Sequence, residues 1–161
     1  SPALFRLPPG QRQLVRIGWR RQTPPAEVER AYRVFIEEVP DGGNGERDNA
    51  LRIHLRLVAP LFVHGRQPAA AQLDWKWLPT PADRPARLLV SNRGTGHARI
   101  TRIQLEQPDT PALPLETLTY VLPGAQQIIS LQGRHQRQSN SQLTVTDSDG
   151  TRSYSLPAAL P

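Results

Sequence analysis

Hydrophobic and polar residues alternate along residues 49–63, which read NALRIHLRLVAPLFV. Aliphatic residues occupy every second position from 51 to 57, and arginine or histidine stands between them. A period of two predicts a β-strand with one apolar and one polar face. This predicted strand, Asn49–Val63, is longer than the average strand of about five or six residues. Its edge therefore offers room for pairing with a strand of another chain.

The chain before this strand predicts short strands and no long helix. No segment carries the i, i+3, i+4, i+7 apolar repeat, and 17 prolines and 11 glycines interrupt the chain. The segment Pro25–Arg33 allows a helical turn, but a longer helix there would have only Val28 to bury as a large aliphatic residue. The strands predicted here are Ala3–Leu7, Gln13–Trp19 and Ala31–Val39.

Seven further strands are predicted after a joint at Gly65–Ala71. They are Leu73–Leu78, Arg87–Asn92, Ala98–Glu106, Leu118–Leu122, Gln126–Leu131, Gln142–Thr146 and Ser153–Leu156. Trp75 and Trp77 fall on one face of the first of them, and Asp147–Gly150 has the composition of a hairpin turn between the last two. Seven short strands predict an immunoglobulin-like sandwich. The fold class is therefore all-β, with two domains at residues 1–66 and 67–161.

Composition excludes several classes of protein. The net charge is +6, but the arginines are scattered along the chain and are not clustered with stacking aromatic residues, which argues against a nucleic-acid partner. The chain has no cysteine, so it forms neither a disulfide framework nor a cysteine-based metal site. No apolar run of membrane-spanning length is present, and we expect no membrane insertion.

The residues that most often carry catalysis or bind cofactors are not assembled into a known motif. The four histidines, His54, His64, His97 and His135, show no paired metal-ligand spacing and read as surface residues. Gly94-Thr95-Gly96 lacks the third glycine of a dinucleotide-binding turn. The neighbours Glu37 and Glu38 face opposite sides of a strand, and Glu27 and Glu29 lie in or beside a loop. We predict no enzyme, no metal and no cofactor.

Four segments in this order resemble the periplasmic pilus-assembly chaperones of the chaperone–usher pathway, the PapD-like proteins. They are Phe5–Gln11 (FRLPPGQ), Val15–Ile17 (VRI), Glu29–Pro40 (ERAYRVFIEEVP) and Pro60–Val63 (PLFV). Val90–Gly94 and Tyr120–Gly124 are similar to second-domain segments of the archaic, spore-coat-type branch of that family. The resemblance is strongest from Phe5 to Val63.

The resemblance implies two immunoglobulin-like domains, of which the first is incomplete, because several strands of that domain would precede Ser1. It also implies that the long strand is lent to a pilus subunit that lacks its own last strand, a process called donor-strand complementation. The subunit would then pass to an outer-membrane usher without ATP, and the chain would be periplasmic. The aliphatic residues expected to bind the subunit are Leu51, Ile53, Leu55 and Leu57.

The family also holds the carboxyl terminus of the subunit with basic side chains in the cleft between the domains. Its best-known branch has a lysine just before the LF pair, where this chain has Pro60. Arg33 is the candidate that replaces this lysine, since arginine can bind a carboxylate through two parallel hydrogen bonds. Arg56 is the second candidate.

Other interpretations remain open from the sequence. The aliphatic row would face the core in an ordinary β-protein. The chain would then be an immunoglobulin-like adhesion or surface module that binds through its loops. A pilus subunit is the third class, but the chain shows no N-terminal donor segment and no disulfide. If the first domain lacks strands, Val34, Ile36 and Phe62 would be exposed, and strand-swapped self-association is expected.

Overall fold

The structure is a computed structural model that describes residues 2–18, 26–40, 53–79, 81, 84–107, 112, 114–131 and 141–156. These residues form β-strands and no helix, which confirms the all-β class. None of them lies in a helix that is long and apolar enough to cross a membrane. The strands are β1 Arg30–Glu37, β2 Arg56–Val63, β3 Leu73–Leu78, β4 Arg87–Asn92, β5 Ala98–Glu106, β6 Pro114–Val121, β7 Gln126–Ser130, β8 Ser141–Asp147 and β9 Gly150–Leu156.

Strands β1 and β2 form a separate antiparallel sheet of two strands. Arg30 pairs with Val63 at one end and Glu37 with Arg56 at the other. Because paired residues share a face, the sheet has two distinct sides. One carries the side chains of Tyr32, Val34, Ile36, Leu57, Ala59 and Leu61. The other carries Ala31, Arg33, Phe35, Glu37, Arg56, Val58, Pro60 and Phe62.

The remaining strands form a sandwich of two antiparallel sheets, with the orders β3-β4-β7 and β6-β5-β8-β9. Alternate residues of these strands point inward, as the period of two predicts. Among the described residues the buried apolar core lies between Leu73 and Leu156, and Leu88, Ile100 and Leu143 are fully enclosed. Trp75 and Trp77 are both buried, which confirms that they share the inner face of β3.

Strand β5 changes its inward-facing parity halfway along. Ala98 and Ile100 are buried, and then Ile103 and Leu105, so the alternation moves by one residue. The pairing of β5 with β6 shifts at the same place, between Ile100 and Arg102. Such a bulge keeps both halves of a long strand packed on one core.

In the part of the chain before the sandwich, three predictions differ from the structure. The sequence predicts strands at Ala3–Leu7 and Gln13–Trp19, but the described residues 2–18 contain no strand. No described strand lies beside these residues to complete a hydrogen-bonded ladder. Ala26–Glu29 contains a bend and no helical turn. The long strand begins at Arg56, and residues 53–55 are outside it, while positions 49–52 lie outside the described residues.

Candidate functional site

The outer edge of β2 is the first candidate binding surface. Within the described residues β2 pairs with β1 alone, so its other edge has no strand partner. Three of the four predicted aliphatic residues are described, and all are exposed: Ile53 by 75%, Leu55 by 57% and Leu57 by 50%. Leu51 lies outside the described residues. The described part of the aliphatic row is therefore not in the core.

The hydrogen-bond pattern shows which main-chain groups of this segment face the open edge. Glu38 donates its N–H to the carbonyl of Leu55 (2.9 Å), in register with the pairing of Ile36 with Leu57. Hydrogen-bonded pairs alternate in an antiparallel ladder. Leu57, Ala59 and Leu61 therefore direct their main-chain groups to β1. The main-chain groups of the alternate residues point to the open edge, and these residues are His54, Arg56, Val58 and Pro60.

Pro60 lies in the middle of β2 without disturbing its pairing with β1. Proline has no N–H to donate, and it is tolerated in a strand where that group would point away from the neighbouring strand. The pairing of Pro60 with Arg33 places it at such a position. A strand added to the open edge would find N–H donors at Arg56 and Val58, and none at Pro60.

A side chain extends the ladder between β1 and β2 beyond its Glu37–Arg56 end. Leu55 donates its N–H to the Oε2 atom of Glu38 at 3.0 Å. In a regular pair this donor would bind the main-chain carbonyl of residue 38. The carboxylate thus holds residue 55 in register beyond the last residue of the strand, and it leaves the side chain of Leu55 exposed.

Arg33 and Arg56 lie on the face opposite to Leu57. Arg56 is already engaged: its Nε donates to Oε1 of Glu37 (2.7 Å), and its guanidinium carbon lies 4.8 Å from the centre of the Phe35 ring. Arg33 is exposed and has no ion pair with another described residue. Of the two predicted carboxylate ligands, Arg33 has the freer charge.

A second cluster joins the two-stranded sheet to the sandwich. The side chain of Glu29, just before β1, is only 1% exposed. Its Oε1 accepts hydrogen bonds from the main-chain N–H of His97 (3.0 Å) and from Nδ1 of the same residue (2.6 Å). Its Oε2 lies 3.4 Å from Nδ1 of His64 and has no hydrogen-bond partner. A buried carboxylate is thus held between two histidines.

Aromatic rings add to this joint. The rings of Phe62 and His97 are stacked, with centroids 3.6 Å apart and an interplanar angle of 7°. Tyr120 of β6 lies beside both, with ring centroids at 5.5 Å from Phe62 and 5.8 Å from His97. Phe62 belongs to the face of the sheet that carries Arg33, and this face contacts the sandwich at its Phe62 end.

The turn Gly94–Gly96 binds the connecting segment. The hydroxyl of Thr95 donates to the carbonyl of Pro68 (2.6 Å) and accepts from the N–H of Ala70 (3.2 Å). A Cβ atom on Gly94 would lie 2.1 Å from the carbonyl oxygen of Ala70, so no larger residue fits there. This close packing explains the glycines that the sequence offered as an incomplete nucleotide-binding motif.

The sequence did not identify this joint as a site. Glu29 was considered as one of a pair with Glu27 and as the first residue of the segment Glu29–Pro40, and His64 and His97 were interpreted as surface residues. That interpretation holds for His64, which is 75% exposed, and is wrong for His97, which is 21% exposed. The three residues are far apart in the chain, so only the tertiary fold could bring them together. Among the described residues, no group of three or more potential ligands is placed to hold a metal ion.

Comparison with known proteins gives one match. Residues 1–69 match the sequence profile of the family described as "Pili and flagellar-assembly chaperone, PapD N-terminal domain". No curated protein and no solved structure matches the chain. The matched residues include β1, β2 and the exposed aliphatic row. This part of the chain is therefore similar to the N-terminal domain of chaperones that assemble pili and flagella.

Proposed function

We propose that this chain is a periplasmic chaperone that binds pilus subunits by donor-strand complementation and delivers them to an outer-membrane usher. The observation that carries the proposal is the open edge of β2, which bears an exposed row of aliphatic side chains. The profile match over residues 1–69 supports the same role. Pro60 at the position of the family's lysine favours the archaic, spore-coat-type branch.

The subunit surface that fits this edge is an apolar groove beside an unpaired strand. Ile53, Leu55 and Leu57 would fill the groove, as would Leu51, which lies outside the described residues. Each aliphatic side chain that becomes buried contributes about 1.5–3 kcal/mol. The main-chain groups of Arg56 and Val58 would bind the adjacent strand of the pilus protein. No cofactor and no nucleotide take part in this step.

The test is co-expression of the chaperone with the subunits encoded beside it, followed by co-purification. Ile53→Asp places a charge in the apolar groove, so we expect the subunit to be lost and degraded. Val58→Asp is the matched control, since Val58 is also an exposed aliphatic residue (53%) but lies on the face opposite to Leu57. This variant should retain the subunit.

Equal behaviour of Ile53→Asp and Val58→Asp would contradict the proposal. The immunoglobulin-like surface module would then be the better hypothesis, since such a module binds through loops and does not need the aliphatic row.

Arg33 is the proposed ligand of the carboxyl terminus of the subunit. It is exposed, unpaired among the described residues, and lies on the same face of the sheet as Phe62, which contacts the sandwich. Arg56 is the weaker candidate, because Glu37 already neutralises its charge.

The open edge also suits a second copy of the chain. Ile36 is exposed (44%), as expected for an uncovered face, whereas Val34 and Phe62 are half-buried. We propose strand-swapped self-association as the state of the chain when no pilus subunit is bound. Light scattering coupled to gel filtration should show a mass that rises with concentration, and a mass that stays at one chain would contradict this.

A further inference from the structure

We propose that the cluster of Glu29, His64 and His97 is a proton-dependent clamp that fixes the two-stranded sheet against the sandwich more firmly at acidic than at alkaline pH. The clamp would operate whether or not a pilus subunit is the partner. It depends on the geometry of the joint alone, and it uses a buried acidic residue that donor-strand binding does not require.

The position of Glu29 makes it a connection between the two parts of the fold. Glu29 precedes β1, and His64 follows β2, so both lie at the same end of the two-stranded sheet. His97 precedes β5 of the sandwich. Glu29 also donates its main-chain N–H to the carbonyl of Thr95 at 2.9 Å. Side chain and main chain thus tie residue 29 to the same turn of the sandwich.

The two carboxylate oxygens of Glu29 are unequally satisfied. Oε1 accepts two hydrogen bonds from His97, and the imidazole can supply its share in the neutral form with the proton on Nδ1. Oε2 is buried without a hydrogen-bond partner, 3.4 Å from Nδ1 of His64. A buried charged oxygen without a donor is costly.

A neutral His64 with its proton on Nδ1 offers Oε2 a neutral donor, and protonation makes that donor charged and therefore stronger. An imidazolium carries N–H donors at both ring nitrogens, so a protonated His64 presents Oε2 with a charged donor through a small rotation of an exposed side chain. A protonated His97 adds an opposite charge to its existing hydrogen bond. Histidine changes charge between about pH 5 and 8, so the clamp should tighten as the pH falls through that range.

Other ionisable groups also lie around the joint. Tyr120 lies beside the ring of His97. Glu27 and Arg66 form an exposed ion pair at 3.6 Å on the connecting segment, and Arg30 follows Glu29 as an exposed arginine. Histidine is the residue type whose charge ordinarily changes between about pH 5 and 8, so the proposal assigns the response to His64 and His97.

The experiment measures a distance between the two parts of the fold by electron–electron resonance of spin labels. The chain has no cysteine, so a protein with both Ala59→Cys and Ser148→Cys carries spin labels at these two positions only. This doubly labelled protein is the parent for the other variants. Ala59 is exposed on β2, and Ser148 is exposed in the turn between β8 and β9. Near this turn the hydrogen bond to Tyr154, and then the charge of Asp147, raise the pKa of Arg152, so its guanidinium stays charged throughout.

We expect a narrow distance distribution at pH 5.5 and a broader one at pH 8 in the doubly labelled parent. Glu29→Gln keeps the shape of the side chain and removes its charge, so the difference between the two pH values should vanish. His64→Asn should reduce that difference and should fold normally, because His64 is exposed. Tryptophan fluorescence of the buried Trp75 and Trp77 verifies that each sandwich is folded.

Two results would overturn the proposal. One is an identical distribution at both pH values in the parent. The other is a pH response in Glu29→Gln, or in a variant with both histidines replaced by asparagine, that equals the parent's response. Addition of a chelator should leave the distance distribution of the parent unchanged. A distribution that changes with chelator would indicate that a metal ion, and not a proton, controls the joint.

Discussion

At the scale of single residues, Asn92 contributes most to the geometry near the joint. It is buried at the end of β4, and its Nδ2 donates to the carbonyls of Gly96 (2.8 Å) and Val121 (2.9 Å). Its Oδ1 accepts from the N–H groups of Gln72 (3.1 Å) and Gly94 (2.9 Å). One amide thus fixes the turn that binds the connecting segment, and it satisfies four main-chain groups.

Replacement of this amide should therefore destabilise the sandwich strongly. Asn92→Asp has nearly the same shape but loses both donors, and it sets a charged oxygen against two carbonyl oxygens. Each buried group left without a partner costs about 1–3 kcal/mol, so we expect a loss of at least about 2 kcal/mol in the free energy of unfolding. Denaturant titration followed by tryptophan fluorescence measures this loss.

Ser91→Ala is the matched control, since Ser91 is the neighbour on the outer face of β4 and is only half-buried. Equal stability of Asn92→Asp and Ser91→Ala would show that the network is not needed.

Arg33 gives a second prediction at this scale. A peptide that ends with the last residues of a pilus subunit and its free carboxylate should bind about tenfold or more weakly to Arg33→Gln than to the parent, since a hydrogen bond to a charged group contributes about 1.5–3 kcal/mol. The same peptide with an amidated terminus should bind parent and variant equally. Isothermal titration calorimetry of the four combinations measures the coupling. If Arg33→Gln weakens binding of both peptides equally or of neither, Arg33 does not bind the carboxylate and is an ordinary solvated surface residue.

At the scale of elements, β2 is a strand whose two edges are chemically different. The edge toward β1 has a complete ladder from Arg56 to Val63, whereas the outer edge has no N–H at Pro60. A partner strand can therefore form a continuous ladder only on the side of Pro60 that includes Arg56 and Val58. The length of the usable edge is thus limited by one residue of this chain.

This difference predicts opposite effects of proline at neighbouring positions. Val58→Pro removes an N–H that faces the open edge, so it should weaken subunit binding while the pairing of β1 with β2 persists. Leu57→Pro removes an N–H that faces β1, so it should disrupt the two-stranded sheet itself. Nuclear magnetic resonance shifts of β1 amides report on the sheet, and calorimetry reports on binding. Equal damage to the sheet by both substitutions would refute the assigned hydrogen-bond pattern.

The strands of the sandwich could be predicted from sequence much better than those before it. In β3, β4 and β8, alternation and turn residues agree, and each strand has a neighbour that completes its ladder. The same period of two before β1 predicted strands that the described residues 2–18 do not form, since pattern alone does not supply a partner. The sequence singled out the aliphatic row and Arg33, whose binding roles stay predictions, whereas the contact of Glu29 with His97 spans 68 positions and has no local signal.

At the scale of the whole molecule, the apolar core belongs to the sandwich alone. Every buried apolar residue of the described chain lies between Leu73 and Leu156. The two-stranded sheet has no such core, and isolated pairs of strands are marginally stable. It depends on the joint for its position, so the part that presents the open edge of β2 should be the part that opens first.

Hydrogen exchange measured by mass spectrometry tests this division. Amides of β5 and β8, which lie inside the four-stranded sheet, should exchange only through global unfolding. Amides of β1 and β2 should exchange orders of magnitude faster, and binding of a pilus subunit should slow those of β2. Similar protection of β2 and β8 in the free chain would contradict this picture.

The stacking of Phe62 on His97 makes the joint observable by magnetic resonance. A proton above the face of an aromatic ring experiences the ring current, which moves its resonance upfield. With the two rings 3.6 Å apart and nearly parallel, the imidazole protons of His97 should show unusually shielded signals. Any motion that separates the sheet from the sandwich would return those signals toward ordinary positions, so this one imidazole is an intrinsic gauge of how the two parts of the molecule are arranged.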